Sequence, residues 1–288
     1  MTDTTIEYRN DRPSMARQTG EMTSDGVIDY TRQQQDIQDF TDAAMEYIIQ
    51  GLLVRRNGAQ YRNTKLAREL YDRLVDLLYP FGNRYSMDIP GLAVTFVWHE
   101  LPEVIKTCEI DAARYMEEDP AMEFAEEVYF GCIGFLATVA HRIANALSRL
   151  KAPVIPRAIA CYSQSKTGID IHPATTIGEG LFIDHGTGVA IGCTAVLGRN
   201  VNIYKGVVLG TRSKPRKQTE ETTGQLKKRH PTISDNVSLY TNAFVGGDIV
   251  VGEGAVIGAY AFVTDDVPPG EVVLPIEIEM QREVMGKR

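Results

Sequence analysis

Three histidines stand in or beside the most regular part of this 288-residue chain: His172 in Asp-Ile-His-Pro, His185 in Asp-His-Gly-Thr-Gly and His230 in Arg-His-Pro. Two have an acid close by, Asp170 two residues before His172 and Asp184 immediately before His185. A neutral imidazole near physiological pH can take a proton from an alcohol. A carboxylate on its other nitrogen fixes the tautomer and stabilises the imidazolium. Asp170 precedes His185 by fifteen residues. That spacing suits two groups meeting from adjacent turns of a coil about eighteen residues long. Asp184 is expected to brace His185 less well, because successive strand residues point to opposite faces. A zinc site is a competing use of three histidines, and plain turn-capping is another. The histidine spacings of thirteen and forty-five put no further Cys or His at ligand distance, so no metal is expected.

Such groups need a rigid frame, and residues 169–268 provide one. Aliphatics recur every six residues at Ile171, Ile177 and Ile183, then after two extra residues at Ile191, Leu197, Ile203 and Leu209. The rhythm resumes at Ile233, Leu239, Val245, Val251, Ile257 and Val263. A helix needs a period of 3.6 and a half-buried strand a period of 2. A period of six, with Gly often next and a small residue four positions on, describes a short strand and a turn on each face of a prism. Three hexapeptides complete one coil of a parallel β-helix. The interruption at 211–231 holds Arg212, Lys214, Arg216, Lys217, Lys227, Lys228 and Arg229 against Glu220 and Glu221. Such a basic loop is either solvated surface or the place where a solenoid carries binding groups.

Residues 1–35 are polar and expected as a mobile tail whose last part can turn helical; residues 36–168 read as an all-helical domain. Ile37, Phe40, Ala44, Ile48 and Leu52 share one helix face that ends near Asn57-Gly58. A second helix is expected from Thr64 to Tyr79, stopped by Pro80 and Gly82. Further helical segments are expected over 91–99 and 102–117. A long apolar helix should then begin at Asp119-Pro120-Ala121 and run through Leu147, and a short segment over 156–165 leads into the repeat. Residues 269–288 read as a polar tail. The fold class is therefore α + β, helical domain first and β-helix second.

Composition is ordinary for a soluble globular protein, 43% hydrophobic and 24% charged. A net charge of −8 gives no reason to expect nucleic acid or an anionic membrane as partner. No apolar run approaches a membrane span, and the first residues lack the apolar core of a signal peptide. Four scattered cysteines without a Cys-x-x-Cys pair suit a reducing cytoplasm.

The run DIHPATTIGEGLFIDHGTGVAIGCTAVLGRNVNIYKGVVLG, then KKRHPTI, then GEGAVIGAYAFVTDDVPPG closely resembles serine O-acetyltransferase of the hexapeptide-repeat acyltransferase superfamily. EEDPAMEF and the AHRIANAL helix resemble that family's helical half, so the resemblance spans roughly residues 105–270. It implies a left-handed β-helix and acetyl transfer from acetyl-CoA to the L-serine hydroxyl for cysteine synthesis. It also implies homotrimers with sites between neighbouring β-helices, and pairing of trimers. His185 would be the general base, with Asp170 its partner. Asp119 and Asp184 would hold the substrate ammonium, and Arg229 and His230 its carboxylate. Acetyl-CoA would run outside the β-helix past Gly210, Thr211, Lys214, Ala243 and Ala261. Other hydroxy-amine acceptors, another acyl-CoA, or a non-catalytic trimeric scaffold are the alternatives.

Four departures qualify the resemblance. The basic loop is long, and LGTRSK lacks a glycine. Cys193 stands where the family commonly has Glu. Tyr240, Asn242, Phe244 and Tyr260 replace small residues, which should narrow the CoA groove. The tail does not end in isoleucine, so no tight cysteine synthase complex is expected.

Overall fold

The structure is a computed structural model that describes residues 30–61, 63–212 and 227–275. The first unit comprises α1 (Tyr30–Arg56), α2 (Thr64–Tyr85), α3 (Ile89–Thr95), a π-helical turn (Phe96–Glu100), α4 (Leu101–Glu118), α5 (Ala125–Gly131), α6 (Ile133–Arg149) and α7 (Ile155–Thr167). The apolar stripe of α1, from Ile37 to Leu52, is buried against a core that includes Leu70, Leu74, Phe96, Leu101, Phe135 and Leu147. Asn63 caps α2 by accepting from the Leu66 N–H at 3.0 Å, and Asp88 caps α3 through Gly91 at 3.0 Å. Among the described residues no single helix is long and apolar enough to cross a membrane.

Three helix limits differ from expectation, each because tertiary packing overrides a local signal. α1 starts at Tyr30, inside the segment expected as a tail, and its Gln33 amide reaches the Leu77 carbonyl of α2 at 3.3 Å. α2 runs through Pro80, since Leu77, Leu78 and Phe81 around it are all buried. It stops at Ser86, which adopts a left-handed φ of 50°. The helix expected from Asp119 is two helices, α5 and α6, meeting at Cys132 with a bend of 73°. The bend lets the start of α6 lie on the second unit: a Cβ on Gly134 would stand 2.1 Å from the Ile183 carbonyl oxygen.

The second unit is the expected left-handed parallel β-helix of about four turns. Its strands are β1 (Asp170–Ile171), β2 (Thr176–Ile177), β3 (Phe182–Asp184), β4 (Ala190–Ile191), β5 (Val196–Leu197), β6 (Asn202–Tyr204), β7 (Val208–Gly210), β8 (Thr232–Ile233), β9 (Ser238–Leu239), β10 (Phe244–Gly246), β11 (Val250–Val251), β12 (Val256–Ile257), β13 (Phe262–Val263) and β14 (Val272–Val273). They form three sheets, β1-β4-β7-β10-β13, β11-β8-β5-β2 and β14-β12-β9-β6-β3, here called the first, second and third faces. The six-residue aliphatics from Ile171 to Val263 fill the interior. β14 pairs with β12, so the ladder continues past residue 268 into the stretch expected as a tail.

Two contacts fix one unit on the other. Arg142 of α6 makes a bidentate pair with Asp111 of α4 and donates to the carbonyls of Ile177 and Gly178. Asp111 also accepts from the Gly180 and Leu181 N–H groups at 2.8 and 3.0 Å. The Tyr115 hydroxyl accepts from the Ile183 N–H and donates to the Ile183 carbonyl. The end of α4 is thereby set beside β3.

Candidate active site

His185 sits where the third face turns into the first. In the coil above, residues 205–207 make that turn; here residues 185–189 make it, two more. The surplus pushes the turn outward, and the His185 side chain is 76% exposed. Its φ of 54° is left-handed, unusual for a residue with a Cβ, and such strain tends to survive where it serves a site.

That φ also changes which acid it meets. Alternation along a strand would turn Asp184 away from His185, but the left-handed residue breaks the alternation. Asp184 Oδ2 lies 3.7 Å from His185 Nε2. Asp170, on the outer side of β1, instead lies 3.7 Å from Arg157 of α7. Among the described residues no ion pair joins Asp170 to His185. Arg157 carries no motif that could have marked it; only the angle at which α7 enters β1 brings it there.

Asp119 ends α4, and its carboxylate accepts from the Ala121 N–H at 2.9 Å, which fixes the Asp-Pro-Ala turn. Burial pushes the Cys132 thiol up to about 11, and the charges of Asp119, Glu127 and Asp184 add to it. One thiol therefore lies in the field of an acid from the helical unit and an acid from the β-helix. Of the pair expected at the substrate ammonium, Asp184 adjoins His185, and Asp119 reaches the same thiol from the end of α4.

The other expected residues occupy the corner between the first and second faces. His172 Nδ1 accepts from the Ala174 N–H at 3.1 Å, a turn cap, and burial lowers its pKa with help from Arg157 and Arg229. Thr194, which nothing in its sequence context singled out, organises the coil above. Its hydroxyl accepts from the N–H groups of Arg229 and His230, and its carbonyl accepts from Lys228 Nζ at 2.7 Å. Its N–H donates to His230 Nδ1 at 3.2 Å. Burial drives the His230 pKa down to about 4, aided by Arg229, Lys228 and His172. The ring is neutral near pH 7, and with Nδ1 accepting its proton belongs on Nε2, as a donor. Arg229 Nη2 lies 3.5 Å from Cys193 Sγ, so the unusual thiol touches the cation expected to grip a carboxylate. His172 and His230 thus share one corner and His185 occupies another. Among the described residues no group of three His, Cys, Asp or Glu could hold a metal ion.

The residues expected along CoA divide similarly. Gly210 ends β7, beside Thr211. Ala243 and Ala261 turn their methyls into the core and are buried, backbone included, so neither lies open on the expected track. Gly210 is less open than expected, since a Cβ there would come within 3.0 Å of the Phe244 ring. Lys214 lies outside the described residues, as do 213–226 of the basic loop and the chain beyond 275.

Acids beside an exposed imidazole at one edge of the first face, and neutral or cationic donors at the other, suit a small zwitterion bearing a hydroxyl. No model of a known protein family matches the chain. Among characterised proteins it is similar to a plasmid-borne serine acetyltransferase of Synechococcus elongatus, 42% identical over 181 residues. That match covers 62% of this chain and 56% of the relative, so it spans little more than half the relative's length. The serine acetyltransferase of Bacillus subtilis is 42% identical over 183 residues, 60% of this chain and 79% of the relative. Among solved structures, an Entamoeba histolytica serine acetyltransferase isoform in complex with cysteine superposes with a TM-score of 0.65 and 27% identity, covering 87% of this chain and 94% of that one. The Neisseria gonorrhoeae serine acetyltransferase in complex with serine gives 0.57 and 28% identity, over 81% and 95%.

Proposed function

The chain belongs to the serine acetyltransferase family, and from that premise we propose that it transfers the acetyl group of acetyl-CoA to the hydroxyl of L-serine, giving O-acetylserine for cysteine synthesis. The His185 imidazole takes the hydroxyl proton as the oxygen attacks the thioester carbonyl. The tetrahedral intermediate collapses by breaking the C–S bond, and the imidazolium returns the proton to the departing CoA thiolate. Asp170 braces His185 once the exposed ring turns from Asp184, leaving Asp184 and Asp119 for the ammonium. Arg229 and the Nε2–H of neutral His230 receive the carboxylate.

One observation carries this reading: the acids with His185 and the carboxylate-binding donors lie at opposite edges of one face. A small amino acid reaches both sets only if a second copy brings its own first-to-second-face corner against the His185 edge. The family resemblance supplies the form of that assembly, a homotrimer, alone or paired, with each site between two chains. Acetyl-CoA runs along the same seam. The activity belongs in the cytoplasm, where serine and acetyl-CoA meet.

Thiol release from acetyl-CoA with serine, homoserine and ethanolamine as acceptors tests the acceptor. Serine should be preferred by at least about tenfold in kcat/KM, over ethanolamine because ethanolamine lacks the carboxylate contact and over homoserine because the extra methylene displaces the hydroxyl from the base. His185→Ala should cut kcat about 10²- to 10⁴-fold with the assembly intact by sedimentation. Ordinary turnover in that variant removes His185 from the mechanism.

A further inference from the structure

The outer side of the first face carries a straight column of side chains. Asp170 pairs in register with Ala190, Ala190 with Val208, Val208 with Phe244 and Phe244 with Phe262. The lower end is the proposed catalytic acid. Two small apolar residues follow, then two aromatic rings stacked at 4.6 Å and 11°. Phe262 is 74% exposed, with one ring face against Phe244 and no second ring stacked on it among the described residues.

A second observation lies at the neighbouring corner. Gly168, Gly188, Gly206, Asn242 and Tyr260 succeed one another up it, all with positive φ. Tyr260 is the bulky exception, at φ 62° and 69% exposed. A large side chain held in left-handed backbone costs on the order of 1–2 kcal/mol, and here it places a third exposed aromatic residue at the corner two residues before Phe262. The Phe244 ring meanwhile overlies both Gly210 and Gly246, whose Cβ positions lie 3.0 and 2.3 Å from it. The glycine backbone along which CoA would be expected to lie is therefore roofed by an aromatic ring.

We propose that Phe262, backed by Phe244 and flanked by Tyr260, is the stacking platform for the adenine of acetyl-CoA, and that the pantetheine arm lies over Ala190 and Val208. The proposal rests on the acetyl-CoA reading given above and names the residues that set donor selectivity. Three to four register steps of about 4.8 Å separate Asp170 from the two rings, about 14–19 Å, a span that acetyl-CoA bridges when its diphosphate and ribose fold the adenine back over the end of the pantetheine arm. The small residues Ala190 and Val208 leave that path open between the acid and the rings. An adenine needs a flat apolar face and little else, which is what an exposed phenyl supplies.

The test compares acetyl-CoA with S-acetylpantetheine, which lacks the nucleotide, in Phe262→Ala and Phe262→Trp. Phe262→Ala should lower kcat/KM for acetyl-CoA about tenfold, through KM, and change that for acetylpantetheine less than about twofold. Phe262→Trp should keep the preference for the nucleotide donor. Equal losses on both donors, or none on either, overturn the platform. So does dissociation of Phe262→Ala in sedimentation, which assigns the rings to contact between copies. If the wild type acetylates no acceptor, the proposed function fails separately. Calorimetry of CoA against pantetheine on the same variants then reads the platform directly.

Discussion

His185 has one acid, Asp184, beside it and is not firmly held by it. A 3.7 Å separation from Asp184 is beyond a hydrogen bond, so the exposed ring is free to turn when substrate and a second chain arrive. Asp170 is itself drawn toward Arg157 at the same distance, a weak pull between two partly exposed groups. The roles separate kinetically. Asp170→Asn should lower kcat by about a hundredfold or more while the serine KM holds, because it removes the brace on the imidazolium. Asp184→Asn should mainly raise the serine KM, because it removes a partner of the ammonium. The opposite pattern would make Asp184 the brace, the arrangement already nearest in the free chain. Arg229 and His230 are held differently: Thr194 receives both backbone N–H groups.

At the scale of elements, the decisive contact is the start of α6 on β3. Gly134 leaves no room for a methyl, which would fall 2.1 Å from the Ile183 carbonyl and 2.8 Å from the Tyr115 hydroxyl. Gly134→Ala should destabilise the protein by about 1–3 kcal/mol, read as a lower urea midpoint at unchanged m-value. It should also raise the serine KM, because the same methyl displaces the Tyr115 hydroxyl that ties α4, the helix ending at Asp119, to β3; an unchanged KM would mean that this tie does not set the place of Asp119. This contact also shows where sequence reading stops. The six-residue rhythm was legible from Ile171 to Val263 because each hexapeptide obeys a local rule and stacks on its neighbour in register. The two extra residues between Ile183 and Ile191 were legible too, and they mark the turn carrying His185. The break at Cys132 was not, since it depends on what Gly134 must approach. Nor was the turning of Asp184 toward His185, because strand alternation fails at a left-handed residue. Arg157 and Thr194 stand in no motif and acquire partners only after folding.

For the whole molecule, two histidines couple its integrity to pH. His141 lies fully inside, on α6, and burial with nearby Arg142 and His172 takes its pKa to about 3. His230 pins the returning basic loop to Thr194 and titrates at about 4. Both lie below the ordinary histidine value near 6.5. Between those limits the unfolded chain binds protons that the native chain refuses, so stability rises with pH there and levels off above about 6.5. Asp235, held low by Arg199, acts in the same direction at lower pH, whereas Asp111, pushed up by burial, acts against it, so the histidine share is read between about 4.5 and 6.5 as the difference between variants. His141 alone should give a slope approaching about 1.4 kcal/mol per pH unit there. His141→Leu should remove that share and leave the slope due to His230 and His172, which burial also lowers. It should also be near neutral or stabilising at pH 7.5, since the buried Nδ1 of His141 has no hydrogen-bond partner to lose. Urea unfolding of both proteins at pH 5.0, 6.0 and 7.5 measures the difference. Parallel profiles would mean that His141 is protonated inside the fold, and that the junction between helical unit and β-helix admits a charge.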